Sequence, residues 1–189
     1  MSDRIKDKMS LDQAKQRAAE IIADLSPYCE RIEPAGSIRR KKAEISDIEI
    51  VVIPKTETHE EPIDMFYSKT VTTDLLDKYI KSNPNYTKRL NIDGHEAYGD
   101  LNKLLCYKDT PLDVFSAKPK NWVMVMFIRT GSWKNNIRVA VEARKNGVKI
   151  EQFEGGFKSL HDETIYPMEN EEQIYKFVGL PFLKPEERL

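Results

Sequence analysis

Two acidic residues separated by one apolar residue, Asp47 and Glu49 around Ile48, head the run DIEIVVIP over 47–54, rich in β-branched side chains. In a strand the side chains alternate faces, so positions 47 and 49 point the same way while Ile48 and Ile50 point into the core. Two neighbouring carboxylates repel unless something cationic lies between them. Hard oxygen ligands of this kind suit Mg²⁺, which takes one or two carboxylates plus substrate phosphates. On a solvent-facing sheet the same pair would be ordinary surface, and what lies upstream shifts the balance. Gly36-Ser37 precedes the acidic strand by ten residues and opens a short helix. Backbone N–H groups at such a helix start, with a serine hydroxyl beside them, bind anions. Arg39-Arg40-Lys41-Lys42 follows and supplies cations for triphosphate oxygens. A phosphate cradle directly ahead of a carboxylate pair is the order needed to bring a nucleoside triphosphate to Mg²⁺.

The elements that must hold these residues are legible from pattern. Ser10 and Gln13 form a capping box, and Leu11, Ala14, Ala18, Ile21, Ile22 and Leu25 recur at helical spacing, with Pro27 ending the helix. An extended piece around Arg31–Glu33 leads to Gly36. After the acidic strand the pattern predicts a helix over about 71–81, stopped by Asn83-Pro84, then strands over 86–92 and 101–107 flanking Asp93-Gly94. The next strand runs from Pro111 through Phe115. Helices follow over about 121–128, 134–145 and 171–177, with a break at Thr130-Gly131 and Gly147 placed as a C′ residue. The order predicts an α+β protein: a domain over 1–117 with a mixed β-sheet and helices, and a small α+β C-terminal lobe over 118–189 that begins at Lys118-Pro119-Lys120.

Composition bounds the reading. At 189 residues, with 40% hydrophobic and 32% charged residues, the chain is an ordinary globular protein. No run of about 18 apolar residues marks a membrane span, and the first residues lack the apolar core of a secretory signal. The expected location is therefore the cytoplasm, that of a host cell if the source is a virus, and no membrane partner is expected. Cys29 and Cys106 have no zinc or disulfide spacing and read as buried free thiols. His59, His95 and His161 are scattered and offer no metal site. The net charge of −1 hides an asymmetry: 118–158 holds nine Lys/Arg against three Asp/Glu, whereas 57–77 leans acidic. A basic region beside an acidic one suits a protein that touches polyanions with one part only.

The stretch AGSIRRKKAEISDIEIVVIP resembles the signature of the DNA polymerase β-like nucleotidyltransferases, a Gly-Ser, a short helix and then acid–apolar–acid on a strand. Its doubled arginine is similar to the family X DNA polymerases. TPLDVFSA resembles their third acidic strand, RTGSWKNN their Thr-Gly-Ser turn with a following asparagine, and KPEERL their Pro-acid-acid-Arg ending. Together the match spans about 11–189. The resemblance implies that Asp47 and Glu49 bind both of two Mg²⁺ ions, with Mn²⁺ accepted in their place. It implies that Asp113 binds the catalytic ion and helps accept the proton of an attacking 3′-hydroxyl. By the same resemblance Gly36, Ser37 and Arg40 hold the β- and γ-phosphates. Thr130, Gly131 and Ser132 border the incoming nucleotide, often through a cis peptide after the glycine. Asn136 and, by stacking, Trp133 meet the base, although a core role for Trp133 fits the sequence equally well. Lys134 and Arg138 face DNA.

Four departures qualify the carry-over. Glu49 stands where the polymerases usually have aspartate. Ile128-Arg129 replaces an aromatic pair that helps exclude ribonucleotides. Ala140, with Arg138 nearby, stands where an arginine often probes the template. Only about ten residues precede the first helix, so no lyase domain and no 5′-deoxyribose phosphate lyase activity are expected. The implied activity is template-dependent addition of deoxynucleotides to a primer 3′-hydroxyl, filling short gaps, by a monomer acting on primer–template or gapped DNA and a nucleoside triphosphate. The alternative is another nucleotidyl transfer: untemplated addition to nucleic acid ends, or nucleoside monophosphate transfer to RNA, protein or a small molecule.

Overall fold

The computed structural model describes residues 8–188. It opens with β1 (Met9–Ser10), whose Ser10 also caps α1 (Leu11–Leu25). The capping box forms as expected: Ser10 Oγ accepts the Gln13 N–H at 3.3 Å and Gln13 Oε1 accepts the Ser10 N–H at 2.9 Å. A single 3₁₀ turn containing Pro27 then leads into β2 (Cys29–Pro34), followed by α2 (Gly36–Arg39), β3 (Glu44–Ile45) and β4 (Ile48–Pro54). Next come a hairpin, β5 (Thr56–Pro62) and β6 (Ser68–Asp74), then α3 (Leu75–Ser82), β7 (Tyr86–Lys88), β8 (Asn102–Tyr107) and β9 (Thr110–Ser116). The remainder holds α4 (Trp122–Thr130), α5 (Trp133–Lys145), β10 (Val148–Glu151), β11 (Gly156–Ser159), β12 (Ile165–Pro167) and α6 (Glu171–Phe177). The architecture is α+β.

A five-stranded mixed sheet, in the order β2-β4-β9-β8-β7, carries the site. Its only parallel pair is β4 with β9, and that register sets Glu49 opposite Asp113 and Val51 opposite Phe115. The alternation of β4 then sorts its residues between two cores. Ile48, Ile50 and Val52, with Leu112 and Val114, pack against Ala14, Ala18, Ile21 and Leu25 of α1 and Leu76 and Ile80 of α3. On the other face Val51, Ile53 and Phe115 pack against Trp122, Val125 and Met126 of α4. Glu49 and Asp113 share that second face, near Arg129 of α4. A third core joins Met124 and Phe127 of α4 to Val139, Ala143, Phe157, Ile174 and Tyr175. Because α4 is buried against both, its sequence WVMVMFIRT is apolar nearly all round.

Three local readings differ from the structure. The helix placed at 71–81 begins at Leu75, because Val71 to Asp74 belong to β6 and Asp74 caps α3 by accepting the Asp77 N–H. The hairpin itself is unanticipated: TETHEEP and SKTVTTD are almost wholly exposed, so no apolar alternation announces them. At its tip Ile63, Met65, Phe66 and Tyr67 are exposed, and the Asp64 carboxylate accepts the N–H groups of Phe66 and Tyr67. The strand placed at 86–92 ends at Lys88, with a bridge from Leu90 to Glu96 beyond it. Cys29 is buried as expected, whereas Cys106 is half-buried. No helix among the described residues is long and apolar enough to cross a membrane.

Candidate active site

β4 starts at Ile48, so Asp47 lies in the bend just before the strand rather than within it. It nevertheless stays near Glu49. Burial first, and then the Asp47 charge, push the Glu49 carboxyl from 4.5 up to about 7, with Arg40 opposing and Asp113 adding to the rise. Three carboxylates thus converge from two parallel strands and the bend before one of them. Negative charges beside a buried carboxyl favour its neutral form until a cation relieves them. Their donors are all hard oxygens, which suits Mg²⁺ or Mn²⁺.

The Glu49 side chain explains why position 36 is glycine. A Cβ there would lie 1.6 Å from Glu49 Oε2, and the backbone φ of +54° is itself disfavoured for other residues. With the space open, the carboxylate reaches the start of α2 and accepts the Ser37 backbone N–H. The helix start expected to take an anion therefore holds one, supplied by the protein itself. Asp113 is likewise engaged, by an ion pair with Arg89. Among the described residues no group of three or more His, Cys, Asp or Glu side chains is arranged to hold a metal ion.

The basic run after Ser37 ties α2 to the turn between α4 and α5. Arg39 donates to Thr130 Oγ1 at 2.7 Å and to Glu171 at 2.5 Å. Arg40 donates to the Thr130 carbonyl and, at 3.1 Å, to Ser37 Oγ. Lys41 pairs with Glu186 at 3.0 Å. Gly131 gives Arg40 its room, since a Cβ there would stand 3.0 Å from the guanidinium. Gly36, Ser37, Arg40, Thr130 and Gly131 thus form one locus beside Glu49. The Gly131–Ser132 peptide is cis, and Ser132 caps α5 by accepting the Asn135 N–H at 3.3 Å.

Trp133 is 73% exposed, so the alternative of a core role for it does not hold. Asn136 donates its amide to the Ile128 carbonyl at 2.8 Å, while its Oδ1 is buried without a hydrogen-bond partner. Lys134 and Arg138 are exposed on α5. Two residues near the carboxylates had no part in the sequence reading of the site. Arg89 carries no local signal, because only the tertiary pairing of sheet strands brings it to Asp113. Arg129, noted only as a replaced aromatic, stacks on Phe115 with 3.9 Å from guanidinium carbon to ring centroid, and its charge is felt by Glu49 and Asp113.

Comparison with known structures places this geometry. Leishmania infantum polymerase beta in a ternary P/T complex superposes with a TM-score of 0.70 at 16% sequence identity, over 98% of this chain and 78% of that one. The fold is shared with that polymerase. The same Leishmania polymerase in a ternary gap complex gives a TM-score of 0.68 at 14% identity, covering 97% of this chain and 71% of the other. Residues 125–189 match the family described as DNA polymerase beta thumb. Comparison with curated proteins gives no match. In this polymerase β-like fold the face shared by Glu49 and Asp113 opens toward the Thr130-Gly131 turn through Arg40.

Proposed function

We propose that the chain is a template-dependent DNA polymerase of the family X type, adding deoxynucleotides to a primer 3′-hydroxyl and filling short gaps. The observation that carries the proposal is the parallel register of β4 and β9. It brings Glu49 beside Asp113, with Asp47 adjacent, on the sheet face next to the start of α2. Asp47 and Glu49 are assigned to two Mg²⁺ ions, with Mn²⁺ as a substitute, and Asp113 to one of them. When bound, such ions neutralise phosphate charge and polarise the phosphoryl oxygens.

The remaining roles belong to the chain's own groups. The Ser37 N–H that takes the Glu49 carboxylate is equally suited to a phosphate oxygen, and Arg40 stands beside it. Catalysis of phosphoryl transfer is mainly positioning and charge stabilisation, which fixed donors of this kind supply. Asp113 is assigned to help accept the proton of the attacking hydroxyl. Thr130, Gly131 and Ser132 border the nucleotide, the exposed Trp133 offers a stacking surface, and Asn136 is assigned to the base edge. Lys134 and Arg138 meet DNA phosphates. In this reading residues 1–117 form the catalytic domain and 118–189 the nucleotide- and DNA-binding lobe, and the enzyme acts as a monomer. The nine basic residues over 118–158 favour DNA as the partner of that lobe.

The test is extension of a one-nucleotide gap by wild-type protein with each of the four deoxynucleotides and each ribonucleotide, over all four templating bases, in Mg²⁺. Templated single-nucleotide addition is expected. Addition that ignores the templating base would replace the polymerase with a terminal transferase. Labelling of a protein or small molecule without any DNA extension would replace it with a nucleoside monophosphate transferase.

A further inference from the structure

Asp113 lies on β9, and Arg89 reaches it from beyond the end of β7. The segment after β7 carries Arg89, whose backbone N–H is fixed to the Leu104 carbonyl of β8 at 3.1 Å. From there its Nη2 donates to Asp113 Oδ1, and the two side chains are only 19% and 17% exposed. Arg89 Nε is buried with no hydrogen-bond partner. The charges that face Asp113 complete the picture. Glu49 lies opposite on β4, and Arg129 on α4 acts on both acids, while Arg40 on α2 acts on Glu49 and Asp47. Arg40 and Arg129 thus offset part of the acidic charge around Glu49, and Arg89 does so at Asp113. A divalent ion bound to Asp113 would stand within a few ångströms of Arg89, where two positive charges repel strongly in a partly desolvated setting.

We propose that Arg89 is a charge stand-in for a divalent cation at Asp113: it holds the carboxylate while no ion is bound and must release it when one binds. Arg89 is thus a positioning residue that sets the ion affinity of the site. The inference rests on the assignment of Asp47, Glu49 and Asp113 as ion ligands. It also follows that ions enter weakly alone and more tightly with a triphosphate, whose negative charge the freed guanidinium can then face.

The experiment measures Mn²⁺ binding from the free-ion electron paramagnetic resonance signal at pH 8, without nucleotide or DNA. Wild type, Arg89→Lys, Arg89→Gln and Asp113→Asn are compared, with circular dichroism melts to show that each is folded. Arg89→Gln is expected to bind Mn²⁺ roughly tenfold or more tightly than wild type, the scale of one charge-assisted hydrogen bond. Arg89→Lys, which keeps the charge without the planar fork, is expected to fall between them, and its tighter binding than wild type carries the test even if Arg89→Gln does not fold. Asp113→Asn is expected to bind more weakly than wild type. If Asp113→Asn weakens binding while both Arg89 variants bind no more tightly than wild type, the stand-in is wrong and the ligand assignment survives. If Asp113→Asn binds as wild type does, the ligand assignment of Asp113 fails and takes the stand-in with it.

Discussion

Replacing Glu49 by glutamine should stabilise the ion-free protein, and by an amount that depends on pH in a defined direction. The Glu49 carboxyl rises from 4.5 to about 7, because burial and the Asp47 charge disfavour its ionised form more than Arg40 favours it. That rise corresponds to about 3 kcal/mol. The folded-state value lies above the unfolded one, so the contribution is fully present below pH 4.5 and lost as the pH climbs through about 7. At pH 8 wild type must hold an ionised carboxylate among its neighbours, whereas the glutamine variant carries a neutral amide of the same shape. Urea denaturation in the presence of a chelator, at pH 5 and pH 8, measures the difference. Glu49→Gln is expected to exceed wild type by about 3 kcal/mol at pH 8, a midpoint shift of about 1 M or more, and by less than about 1 kcal/mol at pH 5. Equal differences at the two pH values would refute the idea that the acids crowd one another.

Gly36→Ala forces a Cβ into the Glu49 carboxylate at a φ of +54°, and thermal denaturation should show a loss of about 1–3 kcal/mol together with loss of nucleotide addition. Trp133→Ala removes an exposed ring, so melting should move by no more than about 2 °C, while the KM for nucleotide should rise roughly fivefold or more if the ring stacks on a base. The double variant Lys134→Ala/Arg138→Ala should bind gapped DNA more weakly. Its slope of log affinity against log salt should be shallower by roughly 2, as measured by fluorescence anisotropy across a salt series.

What the sequence made legible was local. The capping box of Ser10 and Gln13, the β-branched run at 47–54, the Gly36-Ser37 helix start and the C′ Gly147 all follow from rules that span a few residues. The helix expected at about 171–177 forms as Glu171–Phe177, capped by Asn170, with Ile174 and Tyr175 in the lobe core. The hairpin of β5 and β6 was not legible, since a two-stranded ribbon exposed on both faces lacks the alternation that a half-buried strand shows. At the candidate site the acids and the phosphate-type helix start were visible as motifs. Their engagements were not: Arg89 meets Asp113 through sheet pairing across β8, and Arg39 and Arg40 turn to Thr130 rather than outward. Nothing in the spacing of a basic run distinguishes a guanidinium bound to its own fold from one open to a ligand. The expected two-residue repeat for Asp47 and Glu49 was also too regular, because the chain bends one residue before the strand begins.

The central claim is that these three carboxylates carry an ion-dependent nucleotidyl transfer. It is tested most directly by transfer of label from an α-³²P-deoxynucleotide to a primer 3′-end, with pyrophosphate measured in the same reaction. Wild type in Mg²⁺ is expected to release one pyrophosphate for each nucleotide joined and to stop when a chelator is added. Asp113→Ala, folded by its circular dichroism, is expected to fall by at least roughly 10²–10³-fold, the scale of losing one electrostatic stabiliser of the transition state. Transfer by Asp113→Ala at the wild-type rate, or transfer by wild type that persists in chelator, would contradict the account.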